Sequence, residues 1–191
     1  MQAFYSDHFV LPLPQGHRFP MAKYRMLRNC LLEKLPSIQL LEPRAARRDE
    51  LIRAHSADYI ESILTGSVHE KTLKAIGFPW SKAMAERALR SVGATLDALD
   101  SALQYGSAVN LAGGTHHAKR DEGSGFCVFN DQAVAAFHYL SSSSQGRVLI
   151  LDLDVHQGDG TASILANDES VFTLSLHGER NYPFEKAISD L

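Results

Sequence analysis

The sequence predicts an α/β domain built on a parallel sheet. Two short apolar runs, 148–151 and 171–176, have the composition of strands buried on both faces of such a sheet. A longer run, 82–105, places apolar residues three and four positions apart, the pattern of an amphipathic helix. Because predicted strands and helices alternate in the second half of the chain, the α/β class follows.

The first half of the chain is predicted to be mainly helical. Three prolines and a glycine within 9–20 make this segment a loop, placed to line a site entrance. Helices are expected over 21–35, about 49–54 and 57–65, and Ser56 is the expected N-cap of the third.

The second half supplies the strands. Ser81 is expected to cap the long helix and Gly106 to end it. The other predicted elements are a strand at 108–111, a helix at 131–140 capped by Asn130, and a polar turn at 141–146.

Composition limits the classes of function. The chain has 191 residues, a formal charge of -3 and two cysteines, Cys30 and Cys127. This charge argues against a dedicated nucleic-acid binder, and two distant cysteines cannot build a disulfide framework or a thiolate zinc site. With neither a signal peptide nor an apolar run of membrane-spanning length, we expect one cytoplasmic domain, 1–191, without a membrane partner.

The first chemical motif is Gly-Gly-Thr-His-His-Ala at 113–118. It follows a predicted strand, and open parallel sheets place their ligand sites at that end of a strand. The two glycines allow the backbone to approach a ligand closely, while His116 and His117 can stand in a cleft.

The second motif clusters acids around a histidine. Asp152, Asp154 and His156 alternate at the end of the apolar run 148–151, so they can converge on one side. Such clustered charge after a buried strand needs a cation or other charged partners, and carboxylate and imidazole are suitable metal ligands. Asp159 alone is equally compatible with capping a helix.

The third motif is the glycine-containing loop 123–131. Gly125 permits a tight turn that would push Phe126 into a channel. The same loop also reads as a simple connection that ends at a helix cap.

Together the three motifs resemble the histone deacetylase family in the broad sense, which includes bacterial acetoin-utilisation proteins and acetylpolyamine amidohydrolases. The match also covers the start of the chain, the loop 16–21 and the segment 175–179, and is most similar to bacterial and class IV-like members. It implies an arginase-like fold.

The resemblance implies a zinc-dependent amidohydrolase. Asp154 and His156 would be zinc ligands, and His116 and His117 would be the paired catalytic histidines. Asp152 would orient His116, and Asp159 would orient His117. In this chemistry zinc polarises the amide carbonyl and activates water, while the histidines move protons.

The resemblance also implies a substrate channel and a second cation. Phe126 and Tyr182 would be aromatic channel walls beside Gly125. A potassium ion would bind Asp152, the backbone near Asp154 and His156, and Ser175 with Leu176. Arg25 matches an arginine near the inner channel, with a surface ion pair as its equal alternative.

The sequence departs from the family pattern at its end. The family's third zinc ligand and its transition-state tyrosine lie further along than Leu191, and neither Asp190 nor His177 is a convincing substitute. A catalytic zinc normally has three protein ligands. We therefore expect a domain incomplete at its C-terminus, or one that associates with another copy or chain.

Several functions remain open on the sequence alone. Deacetylation of acetyl-lysine is the leading prediction, and hydrolysis of an acetylated polyamine is its nearest competitor because both present the same acylated amine. A catalytically inactive module that binds acyl-lysine is the alternative from another class. An arginase-like manganese enzyme would need more Asp and His ligands than the motifs contain.

Overall fold

A computed structural model describes residues 1–143 and 145–191. Within these residues the strands form two parallel sheets, with the orders β2-β1-β3 and β4-β5. The strands are β1 Gln2–Phe4, β2 Gln39–Leu41, β3 Ala108–Asn110, β4 Val148–Asp152 and β5 Val171–Ser175. Every pairing is parallel, as the sequence predicted.

Helices connect and cover these strands. They are α1 Ala22–Lys34, α2 Arg48–Leu51, α3 Ala57–Thr65, α4 Glu70–Ile76, α5 Lys82–Tyr105, α6 Asp131–Ser142 and α7 Asp159–Leu165. The boundaries of α3 and α5 match the prediction because strong capping residues set them. The hydroxyl of Ser81 accepts the backbone N–H of Met84 at 3.1 Å, and Gly106 closes α5 with a φ of 89°.

Three elements were not predicted from the sequence. Strands β1 and β2 have only three residues each, too short to display an alternating pattern, and they exist because β1 pairs with β2 on one side and β3 on the other. Helix α4 has seven residues and was also missed. The short helix expected at 49–54 is confined to α2.

The predicted turn at 141–146 begins later than expected. Helix α6 is capped by Asn130, whose Oδ1 accepts the N–H of Ala133 at 3.0 Å, and it continues through Ser142. The helix is therefore two residues longer than the predicted 131–140. Ser144, within the predicted turn, lies outside the described residues.

The prediction that strands 148–151 and 171–176 are buried on both faces was wrong for this chain. One face packs on the core, whereas Leu149 and Leu151 of β4 are 64% and 52% exposed and Phe172 of β5 is 46% exposed. The run is continuous because both faces of the strand carry apolar residues, but within the described residues only one face packs against other elements.

The main core lies between the helices and the inner face of the β4-β5 sheet. Its largest fully buried side chains include Phe129, Leu51, Ile60 and Leu96. A smaller cluster, Phe4 with Ala94 and Ala98, packs α5 against β1. No described helix has both the length and the apolar character needed to cross a membrane.

Helix α5 approaches the segment before α2 closely at Gly93. A Cβ atom at this position would lie 1.9 Å from the carbonyl oxygen of Arg44. The approach is held by Arg44, whose backbone N–H and guanidinium both bind Asp97 of α5, at 3.0 and 3.1 Å. The guanidinium also binds the buried carboxylate of Glu50 at 2.8 Å through each of two nitrogens.

We predict that Gly93→Ala destabilises the protein by about 2 kcal/mol, because overpacking against a fixed backbone outweighs the gain of about 1 kcal/mol in helix propensity. Urea unfolding monitored by circular dichroism measures this. Gln104→Ala, at an exposed position of the same helix, is the control and should change stability by less than about 0.5 kcal/mol. A Gly93→Ala variant as stable as the control would show that α5 and Arg44 are not in fixed contact.

Candidate active site

The predicted catalytic residues meet in one open cleft at the carboxyl ends of β3 and β4. The segment 113–118 follows β3, and the acidic segment follows β4. Polar and charged residues on the cleft wall are Arg18, Lys23, Thr115, His116, His117, Asp154 and His156. Its apolar wall includes Phe19, Phe126, Tyr182 and Phe184.

His116 is held by the last residue of β4. Its Nδ1–H donates to the Oδ2 of Asp152 at 2.5 Å, and both side chains are buried. Burial alone lowers the pKa of His116, but the hydrogen bond and charge of Asp152, with smaller contributions from Asp154 and Asp159, outweigh it and raise the pKa above its usual value. Asp152 therefore stabilises the protonated imidazole.

His117 is held by the first residue of α7. Its Nδ1–H donates to the Oδ1 of Asp159 at 2.7 Å. Asp159 does not cap the helix, because Gly158 occupies the N-cap position. Gly160 lets α7 come this close: a Cβ there would lie 2.3 Å from the carbonyl oxygen of Ala118.

Because both Nδ1 atoms are engaged, each imidazole has its Nε2 left for the cleft. The two ring centroids are 4.1 Å apart, and the ring of His117 lies 5.9 Å from that of His156. The Nε2 of His116 is 3.9 Å from the Oδ1 of Asp154. The structure thus brings both predicted histidines to the predicted zinc ligands.

Asp154 and His156 form a pair of suitable donors. The Nδ1 of His156 is 2.9 Å from the Oδ1 of Asp154, and both side chains are about half exposed to the cleft. Burial raises the pKa of Asp154, but hydrogen bonds from His156 and the nearby imidazoles outweigh it and lower the pKa. One carboxylate and one imidazole are chemically appropriate for zinc.

This donor set fits zinc only in part. Among the described residues, no group of three or more His, Cys, Asp or Glu side chains is arranged to hold a metal. Asp190 is engaged elsewhere, since its carboxylate accepts the backbone N–H of Thr173 at 2.7 Å. The Nδ1 of His177 bonds the hydroxyl of Ser175 at 2.9 Å.

The residues expected to hold potassium lie side by side at the paired ends of β4 and β5. Asp152 is in register with Ser175, and the N–H of Leu176 donates to the carbonyl oxygen of Asp152 at 3.0 Å. The Oδ1 of Asp152 accepts the N–H of Asp154 at 3.0 Å. The proposed ligands are therefore neighbours, but these oxygens already have protein donors.

The expected channel residues line the cleft. Phe126 has a φ of 67°, a left-handed conformation that is unfavourable for a phenylalanine and is retained here next to the site. Two backbone hydrogen bonds hold this turn, from Gly125 to Ala75 at 3.0 Å and from Phe126 to Ile76 at 2.8 Å. Tyr182 contacts the edge of His117, with ring centroids 5.0 Å apart.

The expected role of Arg25 near an inner channel was wrong. Arg25 is exposed on α1 and does not line the cleft or the smaller cavity beneath it. The arginine that lines that cavity is Arg87, which donates to the carbonyls of Ser6 and Phe9 at 3.1 and 3.0 Å. Helical spacing alone could not distinguish which arginine turns inward.

The sequence predicts only a helix start at Asn130 and Asp131, whereas in the structure both residues also support the histidine loop. The Nδ2 of Asn130 donates to the carbonyl of Ala118 at 3.0 Å. The carboxylate of Asp131 accepts the backbone N–H and the hydroxyl of Thr115 at 2.7 and 2.6 Å. The adjacent Asn-Asp pair before an apolar helix is the sequence feature that could have indicated this supporting role.

Buried His55 joins the same support. Its Nδ1–H donates to the carbonyl of Lys119 at 2.9 Å, and its Nε2 accepts the backbone N–H of Asn130 at 2.8 Å. Burial lowers the pKa of His55 to about 4. The ring is thus neutral in the folded protein, because a proton on Nε2 would face the N–H of Asn130.

We predict that His55 makes the protein less stable in acid. The unfolded chain takes up the proton near the ordinary pKa and the folded chain only near 4, so stability is full above about pH 6.5 and falls by about 1.4 kcal/mol per pH unit below it. Urea unfolding of wild type and His55→Gln between pH 6.5 and 5 measures the difference. Equal slopes for the two proteins would contradict it.

We also predict that Asp152→Asn lowers the pKa of His116, because it removes the carboxylate that stabilises the imidazolium. Titration of the metal-free protein by imidazole NMR measures this shift. Asp121→Asn, which changes an exposed carboxylate outside this pair, is the control and should leave the pKa of His116 in place. An unchanged pKa in Asp152→Asn would show that the short contact is not an ionic hydrogen bond.

Known sequences resemble this chain. It is 44% identical over 189 residues to an uncharacterized protein of Picosynechococcus sp., covering 98% of this chain and 63% of that protein. It is 36% identical over 155 residues to the acetoin utilization protein AcuC of Bacillus subtilis, covering 76% of this chain and 40% of AcuC. The chain therefore spans only part of these relatives.

Solved structures resemble it as well. An HDAC homolog from Aquifex aeolicus superposes with a TM-score of 0.80 at 27% identity, covering 97% of this chain and 53% of that one. An HDAC homolog complexed with SAHA gives 0.79 at 28% identity, with the same coverage. The predicted deacetylase-like α/β fold is thereby confirmed.

A model of the histone deacetylase domain matches residues 17–191, which is most of the chain. The three motifs identified from the sequence all fall within this match. The chain therefore belongs to the histone deacetylase family.

Proposed function

We propose that this chain carries the histidine pair and two zinc ligands of a zinc-dependent deacetylase that hydrolyses the amide of acetyl-lysine. The observation that carries the proposal is the double pairing in the cleft: His116 with Asp152, and His117 with Asp159, at 2.5 and 2.7 Å. Two adjacent imidazoles, each oriented by its own carboxylate, are suited to moving two protons in one reaction.

The protein groups would act on the two sides of one amide bond. One imidazole Nε2 accepts a proton from the attacking water, and the other donates a proton to the leaving amine nitrogen. The carbon–nitrogen bond breaks as the carbon–oxygen bond to water forms, giving acetate and lysine. Asp152 and Asp159 keep both Nδ1–H groups in place, so only the Nε2 atoms face the reaction.

Zinc would be held by Asp154 and His156, with a further donor from outside the described residues. When bound, it supplies a Lewis acid that polarises the amide carbonyl and lowers the pKa of water. Potassium at Asp152, Ser175 and Leu176 is part of the proposal as a structural cation. The oxygens that would hold it lie at the paired ends of β4 and β5.

The aromatic walls support a narrow acyl-lysine substrate. Phe126 and Tyr182 line the same cleft as the histidines, and Tyr182 contacts His117, so apolar rings are available to pack against the aliphatic chain of an acylated lysine. Acetyl-lysine meets this description. The cysteines are both unpaired, which is compatible with the reducing cytoplasm as the proposed location.

A second candidate is a module that binds acyl-lysine without turnover. It is favoured by one observation, the absence of a three-donor metal group among residues 1–143 and 145–191. The cleft and its aromatic walls would then serve recognition only. The two candidates differ in metal content and in the release of acetate.

The test combines zinc content by elemental analysis with acetate release from an acetyl-lysine peptide. When the further donor is present, we expect the protein purified with zinc to hold near-stoichiometric metal and to release acetate, whereas residues 1–191 with two ligands alone should do neither. Asp154→Asn should lower zinc occupancy at least about tenfold, and His116→Ala should keep zinc but lower turnover by about a hundredfold or more.

His69→Ala is the matched control, since this histidine caps α4 on the surface and should affect neither quantity. Peptide binding without zinc or acetate release would favour the binding module. Zinc binding that survives Asp154→Asn and His156→Ala together would contradict the proposed ligand pair.

A further inference from the structure

We propose that the mouth of the cleft selects acylated lysine within acidic protein segments and disfavours acylated polyamines. This inference rests on the proposed function and names its substrate class. The charged side chains on the described cleft wall are Arg18, Lys23 and Asp154. Asp154 lies beside the histidines and is a proposed metal ligand. The other two charged residues of the wall, Arg18 and Lys23, are exposed and form what we call the mouth, so the charge at the mouth is positive.

The two cations are held at the mouth by aromatic rings. The guanidinium of Arg18 lies 5.1 Å from the ring centre of Phe126, a channel wall. The ammonium of Lys23 lies 5.1 Å from the ring centre of Phe19 and 5.0 Å from that of Tyr24. Cation–π contacts of this kind fix a charge in position without neutralising it.

The loop that carries Arg18 is itself anchored. The N–H of Phe19 donates to the Nδ1 of His17 at 3.1 Å, which leaves the Nε2–H of His17 to donate to the carbonyl of Gly77 at 2.9 Å. Phe19 also packs edge-to-face on Phe78, with ring centroids 4.9 Å apart. Arg18 therefore projects from a fixed turn.

Both cations lack a carboxylate partner in the part of the chain that the structure describes, since no acidic oxygen lies within 4 Å of either. Lys119, behind the histidine loop, is by contrast paired with Glu122 and Asp159, at 3.6 and 3.7 Å. An unpaired cation at a binding mouth is available to a carboxylate on the substrate.

The facing wall does not cancel this charge. The segment that carries Tyr182 and Phe184 contains two acids, Glu179 and Glu185, and two bases, Arg180 and Lys186. Lys186 donates to the carbonyl of Asn181 at 2.7 Å. Because this segment carries as many acids as bases, it does not cancel the positive charge of Arg18 and Lys23.

These charges separate the two substrate classes left open by the sequence. An acetylated polyamine keeps at least one free ammonium a few bonds from its amide, and that cation would approach Arg18 and Lys23. A protein segment can place aspartate or glutamate beside the acetyl-lysine instead. Like charges at a mouth lower affinity and opposite charges raise it, most strongly at low salt.

The test is a binding measurement that does not depend on turnover. Fluorescein-labelled peptides with one central acetyl-lysine, flanked by either aspartates or lysines, are titrated with the protein and followed by anisotropy. We expect the aspartate peptide to bind about tenfold more tightly in 0.05 M salt, and the ratio to shrink in 0.5 M salt. N-acetylputrescine should compete at least about tenfold more weakly than the unlabelled aspartate peptide.

Matched variants assign the effect to the mouth. The double variant Arg18→Gln with Lys23→Gln should bring the peptide ratio to within about twofold of unity. The control, Arg25→Gln with Lys34→Gln, removes the same charge from exposed positions of α1 outside the cleft and should keep the ratio. Equal binding of the two peptides to wild type, or a ratio kept in the mouth variant, would overturn the inference, as would no binding of either peptide.

The same titration distinguishes this inference from the proposed function. Unacetylated versions of both peptides are measured in parallel. Equal affinities of the acetylated and unacetylated aspartate peptides would contradict recognition of the acetyl group, and with it the proposed function, while a retained preference for aspartate over lysine would still support charge selection at the mouth. Acetate release without any charge preference would contradict only the inference.

Discussion

The hydrogen bonds between the two histidines and their carboxylates are the constraint on which the site depends. They join three separate parts of the chain: the loop after β3, the end of β4 and the start of α7. Each bond is buried and links an imidazole to an ionisable oxygen, so breaking one leaves a polar group without a partner at a cost of about 1 to 3 kcal/mol or more. The loop that carries His116 and His117 is therefore held in place by the same hydrogen bonds that orient the two imidazoles.

The rest of the structure makes these bonds possible. Asn130 and Asp131 form hydrogen bonds to the backbone of the histidine loop. His55 links Lys119, just after that loop, to the backbone N–H of Asn130. Gly160 allows α7 to touch the same loop. The core residue Phe129 immediately precedes Asn130, so packing of the core and orientation of the site are linked through one short segment.

The sequence was sufficient where local chemistry decides the structure. The bounds of α5 follow from Ser81 and Gly106, and the cleft location follows from motifs placed at strand ends.

The sequence was insufficient where long-range contacts decide the structure. Strands β1 and β2 depend on pairing with each other and β3, and the inward arginine is Arg87, not Arg25, because tertiary packing selects which helix face is buried. The prediction that β4 is buried on both faces was wrong, because a sequence pattern shows which faces of a strand are apolar but not whether other elements pack against them.

The most direct measurement is proton NMR of the imidazole N–H groups in the metal-free protein. Besides the N–H of buried His55, which donates to a carbonyl, we expect two further downfield N–H resonances that exchange slowly with water, one lost in Asp152→Asn and the other lost in Asp159→Asn. Retention of both resonances in both variants, or their absence from the wild type, would contradict the claim that two carboxylates hold the histidine pair.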